Sequence, residues 1–267
     1  MNEIETLSDR TVIRLSGDDR LSFLQGLITQ DVDRLAKEKA IFAALLTPQG
    51  KILFDFFVVN HGDALLIDCF AETAPALLKR LSMYKLRAKV SLEIDAALKV
   101  TASGDEIEGG FVDPRADALG WRSIDLDASP SLGSGHDARR IAVGAPEFGK
   151  DFGSDEMFLT DVNYDLLNGV SYKKGCFIGQ EVTSRMKRKG DIRRRTLIAE
   201  IGGTEPAKGA SITAGASTLG EVLSGADGIA LAAIRLDRLQ KAESEQTPIT
   251  CENHELHLRF PAYLEQG

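Results

Sequence analysis

The chain has 267 residues, of which 43% are apolar and 27% charged, a globular composition that excludes disordered and collagen-like classes. With 32 basic against 40 acidic side chains, the net charge is −8, which argues against a general nucleic-acid binder and leaves only a local basic patch for that role. No apolar run approaches the ~18 residues of a membrane span, and Met1 to Gly17, carrying Glu3, Glu5 and Asp9, resembles neither a secretory signal nor a basic transit peptide, so a cytoplasmic location without membrane contact is expected.

Thr11 to Leu15 reads as a strand, and Ser16-Gly17-Asp18-Asp19 as the turn into a helix with Leu21, Leu24, Leu27 and Ile28 on one face. Ile41–Leu46, Ile52–Val59 and Ala64–Phe70 are further strands. Thr47-Pro48-Gln49-Gly50 and Asn60-His61-Gly62-Asp63 are the turns between them. A helix is expected from Thr73 and Pro75 through Tyr84, followed by a strand over Lys89–Ile94. Hairpins between adjacent strands imply antiparallel pairs, hence an α+β sandwich rather than a doubly wound sheet. Leu98–Ala102, Gly110–Val112 and Trp121–Leu126 repeat the pattern, with a helix over His136–Val143. From Arg193 on, short strands alternate with glycines: Leu197–Ile201, Ala210–Thr213, Gly220–Leu223, Ile229–Ile234 and Leu256–Phe260. Gly202-Gly203 and Gly225 to Gly228 read as turns. This texture indicates a small β-barrel. The expected division is 1–190, made of two α+β subdomains at about 1–96 and 97–190, followed by a barrel over 191–267.

Cys69, Cys176 and Cys251 are far apart and form no CxxC pair. Disulfide frameworks and zinc ribbons are excluded, and no metal site is expected. One chain also offers too few thiols to hold an iron–sulphur cluster unaided. Cys251, His254 and His257 do not form a ligand set, because the two histidines point to opposite faces of a strand. His61, in a turn, and His136, at a helix start, have no visible Ser or Cys partner.

Lys173-Lys174-Gly175-Cys176-Phe177-Ile178-Gly179-Gln180-Glu181 is the most informative stretch. Glycines bracket a thiol and an aromatic, Gln180 and Glu181 can begin a helix, and Lys174 lies two residues from the sulphur. Such surroundings lower a thiol's pKa. The alternative is a buried structural cysteine. Asp55 stands in a strand that is apolar on both faces, so it needs either a ligand or a salt-bridge partner such as Arg87. Arg185, Lys187, Arg188, Lys189, Arg193, Arg194 and Arg195 form a basic run suited to a phosphate, a polyglutamate tail or RNA, or else a solvated hinge.

Lys174 to Glu181 resembles the K-G-C-aromatic-x-G-Q-E signature of the YgfZ family, folate-binding relatives of the glycine-cleavage aminomethyltransferase. Phe23 to Val32 (F-L-Q-G-L-I-T-Q-D-V), Thr47 to Asp55, Tyr84 to Val90 and Arg140 to Pro146 are similar to further motifs of that family. The resemblance implies a ring of two α/β sandwich subdomains and a C-terminal barrel around a tetrahydrofolate site, and a role in assembling or repairing iron–sulphur enzymes, including tRNA-modifying ones. It implies Cys176 as the functional thiol with Lys174 beside it, and Gly175, Phe177, Gly179, Gln180 and Glu181 as the loop that shapes and anchors it. Asp55, Tyr84 and Arg87 would line the folate cavity, with Asp161 as a substitute acid, because Ala142 stands where aminomethyltransferases carry the glutamate that holds the pterin. Arg185, Arg193 and Arg194 would bind an anion. Two alternatives are a folate-dependent one-carbon transferase and a non-catalytic adaptor for cluster-assembly partners, client enzymes or tRNA.

Overall fold

The computed structural model describes residues 4–126, 135–190, 192–201, 206–252 and 254–265. Its elements in chain order are β1 (Glu5–Thr6), β2 (Arg10–Ser16), α1 (Arg20–Gln25), β3 (Ala40–Leu46), β4 (Ile52–His61), β5 (Ala64–Phe70), α2 (Ala74–Tyr84), β6 (Ser91–Ile94), β7 (Lys99–Ser103), β8 (Phe111–Val112), β9 (Trp121–Asp125), α3 (Gly135–Val143) and α4 (Gln180–Lys189). They are followed by β10 (Arg194–Ile201), β11 (Ser211–Ala214), β12 (Ser217–Ala226), β13 (Ile229–Arg235), α5 (Leu236–Ser244), β14 (Ile249–Cys251), β15 (His254–Arg259) and α6 (Ala262–Glu265).

Strands β3-β4-β5-β2-β6 form an antiparallel sheet in that order. Every residue of β3 is buried, because both faces of the sheet are covered. On one face Ile13, Ile41, Phe56 and Ile67 join α2's Leu77 and Leu81 in the main core. On the other, Val12, Val59 and Leu66 meet Val100, Ala102 and Phe111 of the four-stranded sheet β1-β7-β9-β8. Alternation along each strand puts successive side chains on opposite faces, so continuous apolar runs are what a doubly covered sheet requires. The third unit is a closed barrel in the order β10-β13-β12-β11-β14-β15, and closure leaves it no open edge.

The expected strands and helices are present, with shifts at their ends. β6 starts at Ser91 because the Lys89 N–H is taken by Asp19 Oδ2 and the Val90 N–H by the Ala88 carbonyl. β12 continues through Gly225 and Ala226, leaving only Asp227 (φ 53°) and Gly228 (φ 81°) at its tip, the left-handed pair of a tight hairpin. Gly202 and Gly203 lie outside the described residues. Helix α5 and the three-residue β14 were not expected.

Candidate functional site

Three sequence motifs meet around Cys176. Ser171 N–H donates to the Thr29 carbonyl at 3.0 Å, Thr29 Oγ1 donates to the Gly169 carbonyl at 2.6 Å, and Gln30 Nε2 donates to the Asn168 carbonyl at 2.6 Å. Lys174 completes the seam: its Nζ donates to the carbonyls of Ile28 and Gln30 at 2.7 and 2.9 Å and lies 5.6 Å from the Phe177 ring centroid. Burial pushes the Lys174 ammonium down to about 8. The expectation that Lys174 attends the thiol is therefore corrected. A buried ammonium needs acceptors, and those it finds are carbonyls of the segment after α1.

The other end of the loop is held by two glycines in contact. Gly179 has φ 81°, and a Cβ there would lie 2.7 Å from the Thr47 carbonyl oxygen and 3.2 Å from Gly50 Cα. Gly50 has φ 86°, and a Cβ there would lie 3.1 Å from Val182 Cβ. The β3–β4 turn thus packs against the start of α4 with no room for a side chain on either glycine. Phe177 is buried in the main core, and Gln180 Nε2 reaches the Gly175 carbonyl at 3.4 Å. Glu181 is exposed in the first turn of α4, where it complements the helix dipole rather than anchoring the loop. Between these anchors Gly175 and Cys176 are exposed. Cys69 and Cys251 are buried, and burial pushes the Cys69 thiol up to about 12 and raises that of Cys251.

The four residues expected around a pterin do not share one set of neighbours. Asp55 is 2% exposed and accepts a hydrogen bond from the Tyr164 hydroxyl. Burial raises its pKa, against the pull of Arg10 and the Tyr164 hydrogen bond, and its Oδ1 has no partner. Arg87 is exposed and is not its salt-bridge partner. Tyr84 packs its ring partly into the main core at the end of α2. Asp161 accepts from the Phe158 N–H at 3.1 Å, and its pKa, raised by burial, feels Arg194, Arg195 and Lys51 instead. Cavities of about 430, 380, 360 and 340 Å³ lie among the described residues, and Asp55 lines none of them. Phe148 and Phe152, in edge contact, line the largest, and Phe152 in turn packs edge-on against Tyr164.

The basic run divides. Arg185, Lys187 and Arg188 are exposed on α4, with Lys187 Nζ 3.9 Å from the Tyr172 ring centroid. Arg193 is exposed at the entry to β10, and half-buried Arg194 lies 3.8 Å from the Met157 sulphur. Arg195 points inward and grips Asp165 through both terminal nitrogens, at 2.5 and 2.9 Å. Strand alternation separates Arg194 from Arg195, so the run is not one anion surface.

Sequence reasoning missed a buried ionic network between the two sheets. Asp68 accepts from Arg10 Nε at 2.7 Å and from Arg122 Nη2 at 2.8 Å. Arg122 lies 4.2 Å from the Phe57 ring centroid. Asp113 holds Arg115 through both oxygens. His136 sits 3.3 Å from Glu147, and Arg140 joins Asp151 at 2.7 Å. The available signal was a charge at inward positions of apolar strands, Asp68 above all.

The fold and this arrangement define an aminomethyltransferase-like chain with a six-stranded C-terminal barrel. The crystal structure of the glycine cleavage system aminomethyltransferase T from Bartonella henselae superposes with a TM-score of 0.76, covering 98% of this chain and 86% of that one at 17% identity, a likeness of fold alone. Residues 193–266 match the family described as the CAF17 C-terminal β-barrel domain. The mouse iron–sulphur cluster assembly factor IBA57, mitochondrial, is 30% identical over 88% of this chain and 78% of its own length. The human protein of that name is 28% identical over the same shares. The Neurospora crassa homologue is 29% identical, and the match spans about half of its length, 52%. The chain belongs to the IBA57 iron–sulphur cluster assembly factor family. The relatives are named IBA57 and the barrel family CAF17, so the YgfZ resemblance is refined to the IBA57 family. The expectation of a cytoplasmic location is overturned, since the matched IBA57 proteins are named as mitochondrial.

Proposed function

We propose that the chain acts in iron–sulphur cluster assembly and that Cys176 is the thiol through which it does so. Family membership supports the role. The observation that carries the residue is the exposure of Cys176 on a loop fixed at both ends, by Lys174 to the carbonyls of Ile28 and Gln30 and by Gly179 against Gly50. A cluster takes about four protein ligands, so one accessible thiol works with ligands from a partner protein, and the cluster is cargo shared with that partner. This favours the adaptor reading over a one-carbon transferase. The YgfZ-like signature supports the same residue.

The test is replacement of Cys176 in cells lacking the endogenous protein, read as the activity of a cluster-dependent enzyme. Cys176→Ala is expected to fold with an unchanged Tm and fail to restore activity. Full restoration by that variant would leave the loop a purely structural role.

The likeness of fold to an aminomethyltransferase raises tetrahydrofolate as a ligand. One atom speaks for it, the unpartnered Oδ1 of Asp55. The enclosure of Asp55 beneath Tyr164 speaks against it. As they stand, the residues do not fit a pterin, and no step is routed through one. Calorimetric titration with tetrahydrofolate is expected to be silent. A rise in stability following RT ln(1 + [L]/Kd), about 2.7 kcal/mol at 100 Kd, would mean that the aromatic layer of Phe148, Phe152 and Tyr164 opens. The division at residues 190–191 is part of the proposal as well, and limited proteolysis there would test it.

A further inference from the structure

The end of α2 and the loop after it carry a feature separate from the Cys176 loop. Between Glu72 and Glu93 the sequence has five basic residues, Lys79, Arg80, Lys85, Arg87 and Lys89, and no acidic one. Lys79, Lys85, Arg87 and Lys89 are exposed, Arg80 is half-buried, and none of the five forms an ion pair among the described residues. Amid them stand two bare apolar side chains, Met83 at 63% exposure and Leu86 at 90%.

The loop is built to hold this display. Ala88 N–H donates to the Lys85 carbonyl at 2.7 Å, closing a tight turn with Leu86 at its first central position. Leu86 has φ 43°, while Arg87 is not left-handed, the pattern of a type II′ turn, where glycine is the usual residue. A leucine held there, pointing into water, opposes both its backbone preference and its hydrophobicity. The base is fixed: Asp19 Oδ2 accepts the Lys89 N–H at 2.7 Å, Gly17 packs directly on the Lys89 carbonyl, and Tyr84, Ala88 and Val90 reach into the core.

We propose that this loop, with the end of α2, is a peripheral docking device for an anionic lipid surface, with Leu86 and Met83 entering the interface and the cations around them meeting the headgroups. Paired apolar tips within a cluster of Lys and Arg suit a continuous negative surface. Lysine is depleted from protein–protein interfaces, and RNA is held on stacking aromatics, whereas Tyr84, the aromatic at the end of α2, is half-buried. No helix among the described residues is long and apolar enough to cross a membrane, so the contact is superficial.

Cosedimentation of the full chain with phosphatidylcholine–phosphatidylserine vesicles tests it, with pure phosphatidylcholine as the comparison. Binding is expected only to the anionic vesicles and should weaken with salt. Exchanging Lys85, Arg87 and Lys89 for Gln together should lower partitioning about a hundredfold, at roughly fivefold per cation. Leu86→Gly separates docking from folding: Tm should hold or rise, because glycine relieves the positive φ, while vesicle binding falls about tenfold or more through loss of an isobutyl group. Equal binding to neutral vesicles, no binding at low salt, capture of RNA or an acidic protein without vesicle binding, or full binding by Leu86→Gly would each overturn the proposal.

Discussion

Gly179 and Gly175 flank the same exposed thiol, yet substitution should affect them very differently. Gly179→Ala places a methyl 2.7 Å from the Thr47 carbonyl oxygen and 3.0 Å from Leu46 Cβ, on a backbone with φ 81°. The left-handed conformation costs an alanine about 1–2 kcal/mol, and forcing a methyl into close-packed space costs about 1–3 kcal/mol. The Thr47 oxygen cannot retreat, because it also accepts the Gly50 N–H at 2.9 Å. The total is about 2–5 kcal/mol, a large share of the 5–15 kcal/mol that holds ordinary domains folded. For chains near this size that corresponds to a Tm loss of roughly 4–20 °C. Gly175→Ala meets nothing within 4 Å and has no positive φ, so it should stay within about 0.5 kcal/mol of wild type. Thermal unfolding followed by circular dichroism compares the two, and iodoacetamide labelling reports whether Cys176 stays presented. Equal Tm values for the two variants would refute the account of the glycine contact.

What could be read in advance followed from local pattern. β3, β4 and β5 declared themselves as long apolar runs, and the barrel as short strands between glycines. The motif loop was legible because its glycines have steric reasons that a spacing rule can suggest. α5 carried a signal that went unread, Leu236, Leu239 and Ala242 at helical spacing, with Leu239 and Ala242 buried. β14 is three residues long, too short to show alternation. The site failed wherever proximity in sequence was taken for proximity in space. Lys174 lies two residues from Cys176 yet points at carbonyls more than a hundred residues away in the chain. Arg195 adjoins Arg194, but strand alternation sends it inward to Asp165. The pairing of Asp55 with Tyr164 spans 109 residues, and nothing local in either segment announces it.

Iodoacetamide near neutral pH should label Cys176 first, mapped by mass spectrometry, because Cys69 and Cys251 are buried with raised pKa values; preferential labelling of either would contradict the loop geometry. Asp165→Asn should cost about 3–5 kcal/mol in urea unfolding by stranding the buried Arg195, whereas Arg185→Gln on exposed α4 should cost nothing measurable. Lys174 titrates near 8 when folded and about 10.4 when unfolded, so between those values the unfolded state binds more protons and this group's contribution to stability rises with pH; Lys174→Met should remove that rise. Asp55 gives the opposite slope. Its folded pKa lies above the ordinary carboxylate value because burial disfavours the anion. Stability is therefore greatest below the unfolded pKa of about 3.9 and falls as pH rises toward the folded pKa, since the native state there binds the extra proton. Asp55→Asn keeps the shape and an acceptor for the Tyr164 hydroxyl, and it has no charge to bury. It should fold, lose that pH slope, and be at least as stable as wild type at neutral pH by urea unfolding. A loss of about 3–5 kcal/mol would instead mean that Asp55 is an anion paired with Arg10, the guanidinium that most favours its ionisation, because removing one partner strands the other buried charge.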